Sequence, residues 1–351
     1  MTIAVAESVL RTFAEGVLEK AGLDASDGRT VADSLLFANL RGIDSHGIIR
    51  LPSYVRRLEV GGTRISPDIR VVKEAPALVL LDGDNGMGQV VGMRAAEIAV
   101  DKARKVGSSF VGVLRSSHNG AVSYYAMSIA NAGMIGVSTS NTTPVMAAWG
   151  GAESVIGNNP LSIAVPFREG EPLVFDAAMS KVAGGKVRLA AANGTSIPEG
   201  WILNRDGRPT SDPNDILDGT LLPFGEHKGF GLAVMIEILS AVLTGAGMLH
   251  QNPFWAVETE TPLSIGHSFM AIDIERFMAL DEFRKRMEWM VGVLKVSPTS
   301  NGEEEIIMPG QIEAKIARNR RRDGIPISDE VWDELQALGH RYGEPLAAVS
   351  S

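Results

Sequence analysis

The chain has 351 residues, of which 45% are hydrophobic and none is cysteine, so it can bury a large core but cannot use disulfides or thiolate metal sites. Its net charge of -9, from 42 acidic and 33 basic side chains, argues against nucleic acid as a partner. The most apolar stretch, 229–247, contains Glu237, which favours a buried helix over a membrane anchor. The missing cysteine and the lack of a basic leader predict a cytoplasmic protein.

The first 60 or so residues are predicted to be helical. Apolar residues from 9 to 17 recur at helical spacing, and Ser26-Asp27 is the predicted cap of a second helix that runs toward Arg41. In the stretch DSHGIIRLPSYVRRL, a helix would place His46 and Arg50 on one face, because residues four apart are neighbours there. A proton-transfer group and a fixed cation would then point at the same small volume.

The middle of the chain, 77–273, has short β-branched runs bounded by turn residues. The predicted strands are ALVLLDG, SFVGVL, MIGVSTSN, LSIAVPF, PLVFDAA and SFMAIDI. Helices are predicted between them at 91–105, 122–132 and 229–243, and helices return after Asp281, the last one starting at Ser328-Asp329-Glu330. This order indicates a mixed α/β centre flanked by two helical segments that are distant in sequence.

The glycine-rich sequence GMGQVVG, residues 86–92, follows an apolar strand and opens a helix, as a dinucleotide-binding turn would. Its spacing is GxGxxxG rather than GxGxxG. The next predicted strand runs into Arg115 and His118 instead of an acid that would hold a ribose. The sequence therefore favours an ordinary strand-to-helix turn over a Rossmann unit.

Two further turns before helices carry residue types that bind ligands. His118, in SHNGA, precedes a helix whose first amides suit a phosphate or a carboxylate, although a hydrogen-bonded capping histidine fits the same pattern. Lys228, in GEHKG, opposes the helix dipole, which leaves a phosphate partner and an exposed turn lysine as alternatives. The polar turns in SNTTPVMAAWGG, GNNP and VFDAAMSKVAGGK fit a ligand cavity as well as ordinary loops.

Metal binding and serine hydrolysis are poorly supported by the sequence. The six histidines never occur as HxxxH or HxH, and no acidic cluster accompanies them. A Ser-His-Asp arrangement can be drawn from Ser45, His46 and Asp44, but adjacent residues rarely face one another as a triad requires, and there is no GxSxG elbow.

Taken together, these stretches resemble the type 2 malate/L-lactate dehydrogenases, in matching order and over about residues 5–340. The strings that carry the resemblance are RGIDSHGIIRLPSYVRRL, DGDNGMGQVVG, SSHNGAVSYYA, NTTPVMAAWGG, GNNPLSIAVP, FDAAMSKVAGGK, LPFGEHKGFGLAVMIEILSAVLTGA and MPGQIEAK. The family includes malate, L-lactate, ureidoglycolate and sulfolactate dehydrogenases and reductases of cyclic imines such as piperideine-2-carboxylate. The resemblance implies a homodimer that binds NAD or NADP on the family's own, non-Rossmann fold.

The resemblance also implies roles for residues. Ser45-His46 would be the catalytic pair, with the imidazole exchanging a proton with the substrate, and Arg50 would grip the substrate carboxylate, as a guanidinium fork can. Tyr54 would line the same pocket. His118 matches a histidine that serves in some members as the proton acceptor and in others as a cofactor contact. The cofactor positions implied are His118, Asn119, Gly120, Ala121, Val122, Asn141, Asn158, Asp176, Ala177, Ala178, His227, Lys228, Gly310, Gln311 and Glu313.

Three departures from the family pattern bear on substrate and cofactor. Lys186 stands where the cyclic-imine reductases carry an aspartate, which argues against imine reduction by their relay and leaves an anion-binding or a solvated lysine. Asn158 replaces a common threonine. Glu226 replaces a common glycine, and an acid there disfavours a 2'-phosphate, so NAD is favoured over NADP.

We therefore expect an α/β oxidoreductase with a mixed central sheet and flanking helical segments. Residues 1–75 with 276–345 would form a helical domain that carries the Ser-His-Arg motif, and 76–275 an α/β domain for cofactor binding and dimerisation. The expected reaction transfers hydride between NAD(P) and C2 of a small 2-hydroxy or 2-keto acid of the malate or L-lactate type. The alternatives are a cyclic-imine or ureidoglycolate-type substrate, and a non-catalytic metabolite-binding protein. Nucleic acid, membrane and metal are not expected.

Overall fold

The fold is described from a computed structural model, which covers residues 2–168, 171–300 and 302–346. The helices within these ranges are α1 (Glu7–Lys20), α2 (Ala25–Leu40), α3 (Leu51–Glu59), α4 (Gly88–Val106), α5 (Ser123–Asn131), α6 (Gly184–Ala192), α7 (His227–Glu237), α8 (Leu280–Lys295), α9 (Gln311–Asp323) and α10 (Asp329–Tyr342). A π-helical turn, Ile238–Val242, continues α7. The helices predicted at both ends of the chain and between the central strands are confirmed.

The described strands are β1 (Thr2–Val5), β2 (Arg70–Glu74), β3 (Leu78–Asp82), β4 (Ser108–Ser116), β5 (Met134–Ser140), β6 (Met146–Ala147), β7 (Ser154–Ile156), β8 (Leu161–Arg168), β9 (Glu171–Ala177), β10 (Ile202–Leu203), β11 (Pro209–Thr210), β12 (Thr220–Leu221), β13 (Ile265–Asp273) and β14 (Ile325–Ser328). Seven of them form one sheet in the order β2-β3-β4-β13-β5-β8-β9. Five short strands form a second sheet in the order β11-β10-β12-β6-β7, and β1 pairs with β14.

The large sheet is mixed, with β3 and β4 as a parallel pair and its other neighbours antiparallel. A Rossmann unit would need a run of parallel strands, so the expectation of a non-Rossmann α/β fold is confirmed. Successive side chains of a strand point to opposite faces of the sheet, so the residues of β4 divide between the two faces. Val111 and Val113 face the core shared with α4 and α5, while a Cβ added at Gly112 would approach Thr244, just beyond the π-helical turn.

A second core joins the two ends of the chain. Its buried side chains run from Val5 to Leu58 and resume from Ala317 to Leu346. The middle of the chain adds Met87, Trp255, Leu263 and Ile265. The helical segments that are distant in sequence therefore pack on one another, and a central loop enters between them.

Two local predictions were wrong. The cap of α2 is Asp24, whose carboxylate accepts hydrogen bonds from the amides of Ser26 and Asp27. The segment that holds His46 and Arg50 is not an α-helix but two 3-10 turns, Asp44–His46 and Ile48–Arg50.

Candidate active site

The Ser-His-Arg motif lies in the two 3-10 turns, which are separated by an extended Gly47. Ser45 Oγ lies 3.0 Å from His46 Nδ1. Arg50 folds back, and its Nε donates a 2.6 Å hydrogen bond to the carbonyl oxygen of Ser45. The Nη groups of Arg50 and the Nε2 of His46 have no hydrogen-bond partner among the described residues, so both side chains can engage a ligand.

Asn39 and Asp44 hold these turns in place. The side-chain oxygen of Asn39 accepts the amide of Ile48 at 2.7 Å, and its nitrogen donates to Asp44 at 2.7 Å. The Asp44 carboxylate also accepts two hydrogen bonds from Arg320, at 2.6 and 2.9 Å. Asp44 is thus engaged away from His46, and the Ser-His-Asp arrangement drawn from the sequence does not form.

His118 joins the motif from the loop after β4. Its ring stacks on Trp255 with centroids 4.2 Å apart and lies nearly parallel to His46 at 5.5 Å. Its Nδ1 is 2.7 Å from the hydroxyl of Tyr54, which is 2% exposed. Two imidazoles, a tyrosine and a guanidinium therefore converge from the first helices and from the large sheet.

The electrostatics of this cluster favour an anion. Burial, and then the charge of Arg50, lower the pKa of His46 to about 4. Burial, His46 and Arg50 lower the pKa of His118 well below its ordinary value. Both imidazoles are therefore neutral at pH 7. Arg50, which has no ion-pair partner among the described residues, leaves the pocket with a net positive charge that suits a carboxylate.

The loop that carries His118 continues directly into the predicted cofactor segment, which ends at α5. A Cβ at Gly88 would clash with the carbonyls of Ser117 and His118, so the start of α4 packs closely under this loop. Asn119 is 3% exposed, and its side-chain nitrogen has no hydrogen-bond partner in the part of the chain that the structure describes. A buried donor without a partner is costly unless something else accepts from it, and the amide or ribose oxygens of a nicotinamide cofactor would do so.

The remaining predicted cofactor positions approach this region from two other elements. Asp176 is the penultimate residue of β9. Part of its surface is exposed to solvent, but the chain packed around its carboxyl group raises the pKa of that group by desolvation. Gly310, in the left-handed conformation at φ 80°, precedes α9, and a Cβ there would lie 3.0 Å from the carbonyl oxygen of Val174. The start of α9 therefore packs beside the end of β9, and the charge of Glu313 acts on Asp176.

The family model for malate/L-lactate dehydrogenases matches residues 5–336 of the chain. The malate dehydrogenase of Pyrococcus abyssi is 39% identical over 97% of this chain and 95% of its own. The solved structure of sulfolactate dehydrogenase from Methanocaldococcus jannaschii matches with a TM-score of 0.91 and 36% identity, covering 99% of this chain and 98% of that one. Escherichia coli K12 ureidoglycolate dehydrogenase (NAD(+)) is 34% identical over 94% of each chain.

The chain belongs to the malate/L-lactate dehydrogenase family. It is accordingly an oxidoreductase that acts on hydroxy acids, and the family and fold expected from the motifs are confirmed.

Trp255 is a component of this dehydrogenase's site that the sequence analysis missed. Besides stacking on His118, its ring lies 5.4 Å from that of Tyr54 and 5.4 Å from the Cζ of Arg50. The loop that carries it has no helical or strand periodicity, so the sequence offered only an isolated tryptophan between two prolines.

Arg57 anchors the tryptophan loop and was also missed. It is 1% exposed and donates to the carbonyl oxygens of Trp255, Glu258, Gly62 and Thr261 at 2.6 to 3.1 Å. Arg57 has no carboxylate partner within the described ranges, and its burial is tolerated because carbonyl oxygens accept from its donors. Burial nevertheless lowers the pKa of Arg57 to about 10.

His267 holds the end of β4, from which the His118 loop begins. It is fully buried on β13, with Nε2 2.9 Å from Ser116 Oγ and Nδ1 2.9 Å from Ser140 Oγ. Burial lowers the pKa of His267 to about 3, so the ring is neutral and fixed by two hydroxyls at the ends of β4 and β5. The spacing of the histidines bears on His267 only as a possible metal ligand and does not predict this structural role.

Asn141 and Asn158, two other predicted cofactor residues, are already hydrogen-bonded within the protein. Asn141 is fully buried; its nitrogen donates to Glu237 and to Gly247, and its oxygen accepts the amide of Gly266. Asn158 is partly exposed and accepts from Thr142 Oγ1 at 3.0 Å. The side chain of Asn141 thus offers no free donor to a ligand, and its cofactor role stays a prediction.

Three predicted ligand-binding residues, His227, Lys228 and Lys186, have exposed side chains. His227 and Lys228 start α7, and their loop is hydrogen-bonded to the segment after β9, with the amide of Phe224 donating to Met179. Lys186, in the first turn of α6, is exposed and has no ion pair among the described residues. Ala177 and Ala178 are half-buried beside Asp176, Ala121 and Val122 are buried, and Gln311 caps its own turn through Met308.

Within the described ranges, no group of three or more histidine and acidic side chains could hold a metal ion. No described helix combines the length and the apolar character needed to cross a bilayer.

Proposed function

We propose that this dehydrogenase interconverts small 2-hydroxy and 2-keto acids of the malate or L-lactate type at the His46-Arg50 site. The observation that carries the proposal is that the Nη groups of Arg50 and the Nε2 of His46 have no partner among the described residues. The ring of His118 lies against that of His46, so the His118 loop borders the same space. Arg50 would bind the C1 carboxylate through two parallel hydrogen bonds. Held in this way, the C2 oxygen can meet the imidazole.

His46 is our candidate for the proton-exchanging group. Ser45 Oγ at its Nδ1 fixes the ring and directs Nε2 to the ligand. With the pKa of His46 lowered to about 4, the neutral ring is ready to accept the hydroxyl proton during oxidation. In the reductive direction, a bound carboxylate would offset the charge of Arg50 and so favour uptake of a proton by His46, which then delivers that proton from Nε2 to the C2 oxygen as the hydride reaches C2. His118, hydrogen-bonded to Tyr54 and stacked on Trp255, would orient the ligand and the neighbouring cofactor.

The nicotinamide cofactor would be held by the segment His118–Val122, the end of β9 and the start of α9, with His227 and Lys228 positioned for its phosphates. When bound, this cofactor supplies or accepts the hydride. The unpartnered nitrogen of Asn119 supports the assignment. Glu226, exposed next to His227, supports NAD over NADP, because it would repel a 2'-phosphate.

We further propose a homodimer that works in the cytoplasm. The helix α7 and its π-helical extension expose large apolar side chains, including Met235 (52%), Val242 (53%) and Leu243 (62%). Contiguous apolar surface of this kind is unfavourable in water and typical of an interface. Light scattering on purified enzyme tests the dimer.

We also propose the two predicted domains, 1–75 with 276–345 and 76–275. The core that joins the two ends of the chain supports this division.

The test of the function is an initial-rate assay with NADH and NADPH against oxaloacetate, pyruvate and a cyclic imine carboxylate. We expect turnover of 2-keto acids, faster with NADH. Arg50→Gln should raise KM and lower kcat/KM by roughly 10- to 100-fold, since hydrogen bonds to a charged group contribute about 1.5–3 kcal/mol each. Arg56→Gln, on the exposed side of the following helix α3, is the matched control. Equal kinetics for Arg50→Gln and the control would refute the proposed site.

A further inference from the structure

Helix α6 packs its first turn against the catalytic turn. A Cβ at Gly185 would lie 3.7 Å from the Cβ of Ser45, and one at Gly184 would lie 3.7 Å from Nη1 of Arg188. Residues three and four apart share one face of a helix. Arg188 therefore lies on the same face as the two glycines, and that face meets the Ser45 turn.

Arg188 and Arg50 place two positive charges near one volume. Arg188 is exposed, and neither guanidinium has a carboxylate within ion-pairing distance among the described residues. The pKa of Arg50 is lowered chiefly by burial and further by the charge of Arg188. Two like charges without a counterion repel each other, and a ligand that carries two anionic groups would relieve both.

We propose that Arg188 binds the second acidic group of the substrate, so that the enzyme prefers 2-keto acids with two anionic groups, a dicarboxylate or a carboxylate with a sulfonate, over monocarboxylates. This rests on the proposed function, in which Arg50 holds the C1 carboxylate. The planar fork of Arg188 suits a carboxylate or sulfonate at the far end of a three- or four-carbon acid. The two glycines before it leave room for that group beside Ser45.

Lys186 is the competing cation, because it lies in the same turn of α6 and is also exposed. It is one residue past Gly185, so its side chain leaves the helix about 100° away from that of Gly185. Arg188, by contrast, shares a face with Gly184 and Gly185. The helix geometry thus assigns the second anion to Arg188.

The experiment compares kcat/KM for oxaloacetate and pyruvate, with NADH, in the wild-type enzyme and in Arg188→Gln, Arg188→Lys and Lys186→Gln. Arg205→Gln, an exposed arginine without an ion pair among the described residues, is the control. The wild-type enzyme should prefer oxaloacetate. Arg188→Gln should reduce that preference by about 10- to 100-fold, mainly through KM for oxaloacetate, and Arg188→Lys should restore part of it.

Retained turnover of pyruvate shows that Arg188→Gln is folded, so the ratio of the two substrates isolates the role of the side chain. An equal loss on both substrates, an unchanged ratio, or a wild-type enzyme without preference for oxaloacetate would overturn the role of Arg188. A selective loss in Lys186→Gln alone would overturn it in favour of the lysine. If the wild-type enzyme reduces neither acid, the proposed function itself fails.

Discussion

Replacing His267 with glutamine should make the stability of the enzyme less sensitive to acid. His267 is buried as a neutral ring between Ser116 and Ser140, and its pKa is about 3 in the fold against about 6.5 in an unfolded chain. Below pH 6.5 the unfolded chain binds a proton that the folded chain excludes. The stabilisation is complete above pH 6.5 and is lost as the pH falls toward 3.

The magnitude follows from these two pKa values. At pH 5 the solution is about 1.5 pH units below the pKa of this histidine in the unfolded chain, and each unit is worth about 1.4 kcal/mol. The free energy of unfolding should therefore fall by about 2 kcal/mol between pH 8 and pH 5 because of His267 alone. Down to pH 3, where the folded ring is itself half protonated, the loss reaches about 4 kcal/mol. Glutamine can bridge hydroxyl groups but does not titrate in this range.

Urea unfolding followed by far-ultraviolet circular dichroism at pH 8 and pH 5 provides the measurement. The free energy of unfolding of the wild-type protein should fall by about 2 kcal/mol more than that of His267→Gln. Only the change with pH is compared, because the substitution can also lower the stability at pH 8. Parallel losses in the two proteins would show that His267 is not excluded from protonation in the fold.

The remaining predictions concern the clamp and the reacting groups. Arg57→Met leaves four carbonyl oxygens without a donor and should cost at least about 3 kcal/mol of unfolding free energy, whereas Arg56→Met should cost little; equal costs in urea titrations would contradict the clamp. Tyr54→Phe removes the hydroxyl at His118 Nδ1 and should lower kcat/KM roughly tenfold, and an unaltered rate would mean that this hydrogen bond does not orient the ring. For oxidation of a hydroxy acid, kcat/KM should stay level above about pH 5 and decline below about pH 4 as His46 is protonated; an inflection near its ordinary pKa of 6.5 would count against a buried, neutral base.

Much of the central fold could be predicted because its signals are local. Strand β13, for example, contains most of the predicted run SFMAIDI, and α10 has a serine cap that accepts the amide of Val331. The prediction around His46 was wrong because a side chain accepts a backbone amide that a helical carbonyl would otherwise accept. Asn39 accepts the Ile48 amide and holds Gly47 extended, so the predicted helix around His46 is divided into two 3-10 turns.

The part of the site that could be predicted is likewise the part whose signals are local in the sequence. The residues His46, Arg50, Tyr54 and His118 stand in strings specific to the family, and the structure brings them together. Trp255 reaches them only through long-range packing, because Arg57 holds its loop by carbonyl contacts that no spacing in the sequence encodes. A buried arginine looks like any other helical arginine until the partner loop is in place.

The central claim is that His46 and Arg50 receive a 2-keto acid beside the cofactor held by the His118 loop. It is tested most directly by a crystal structure of the enzyme with NADH and an unreactive dicarboxylate analogue of the substrate. We predict one carboxylate paired with both Nη groups of Arg50, and the C2 oxygen within hydrogen-bonding distance of His46 Nε2. An analogue bound away from both side chains, with the nicotinamide ring facing another part of the protein, would contradict the account.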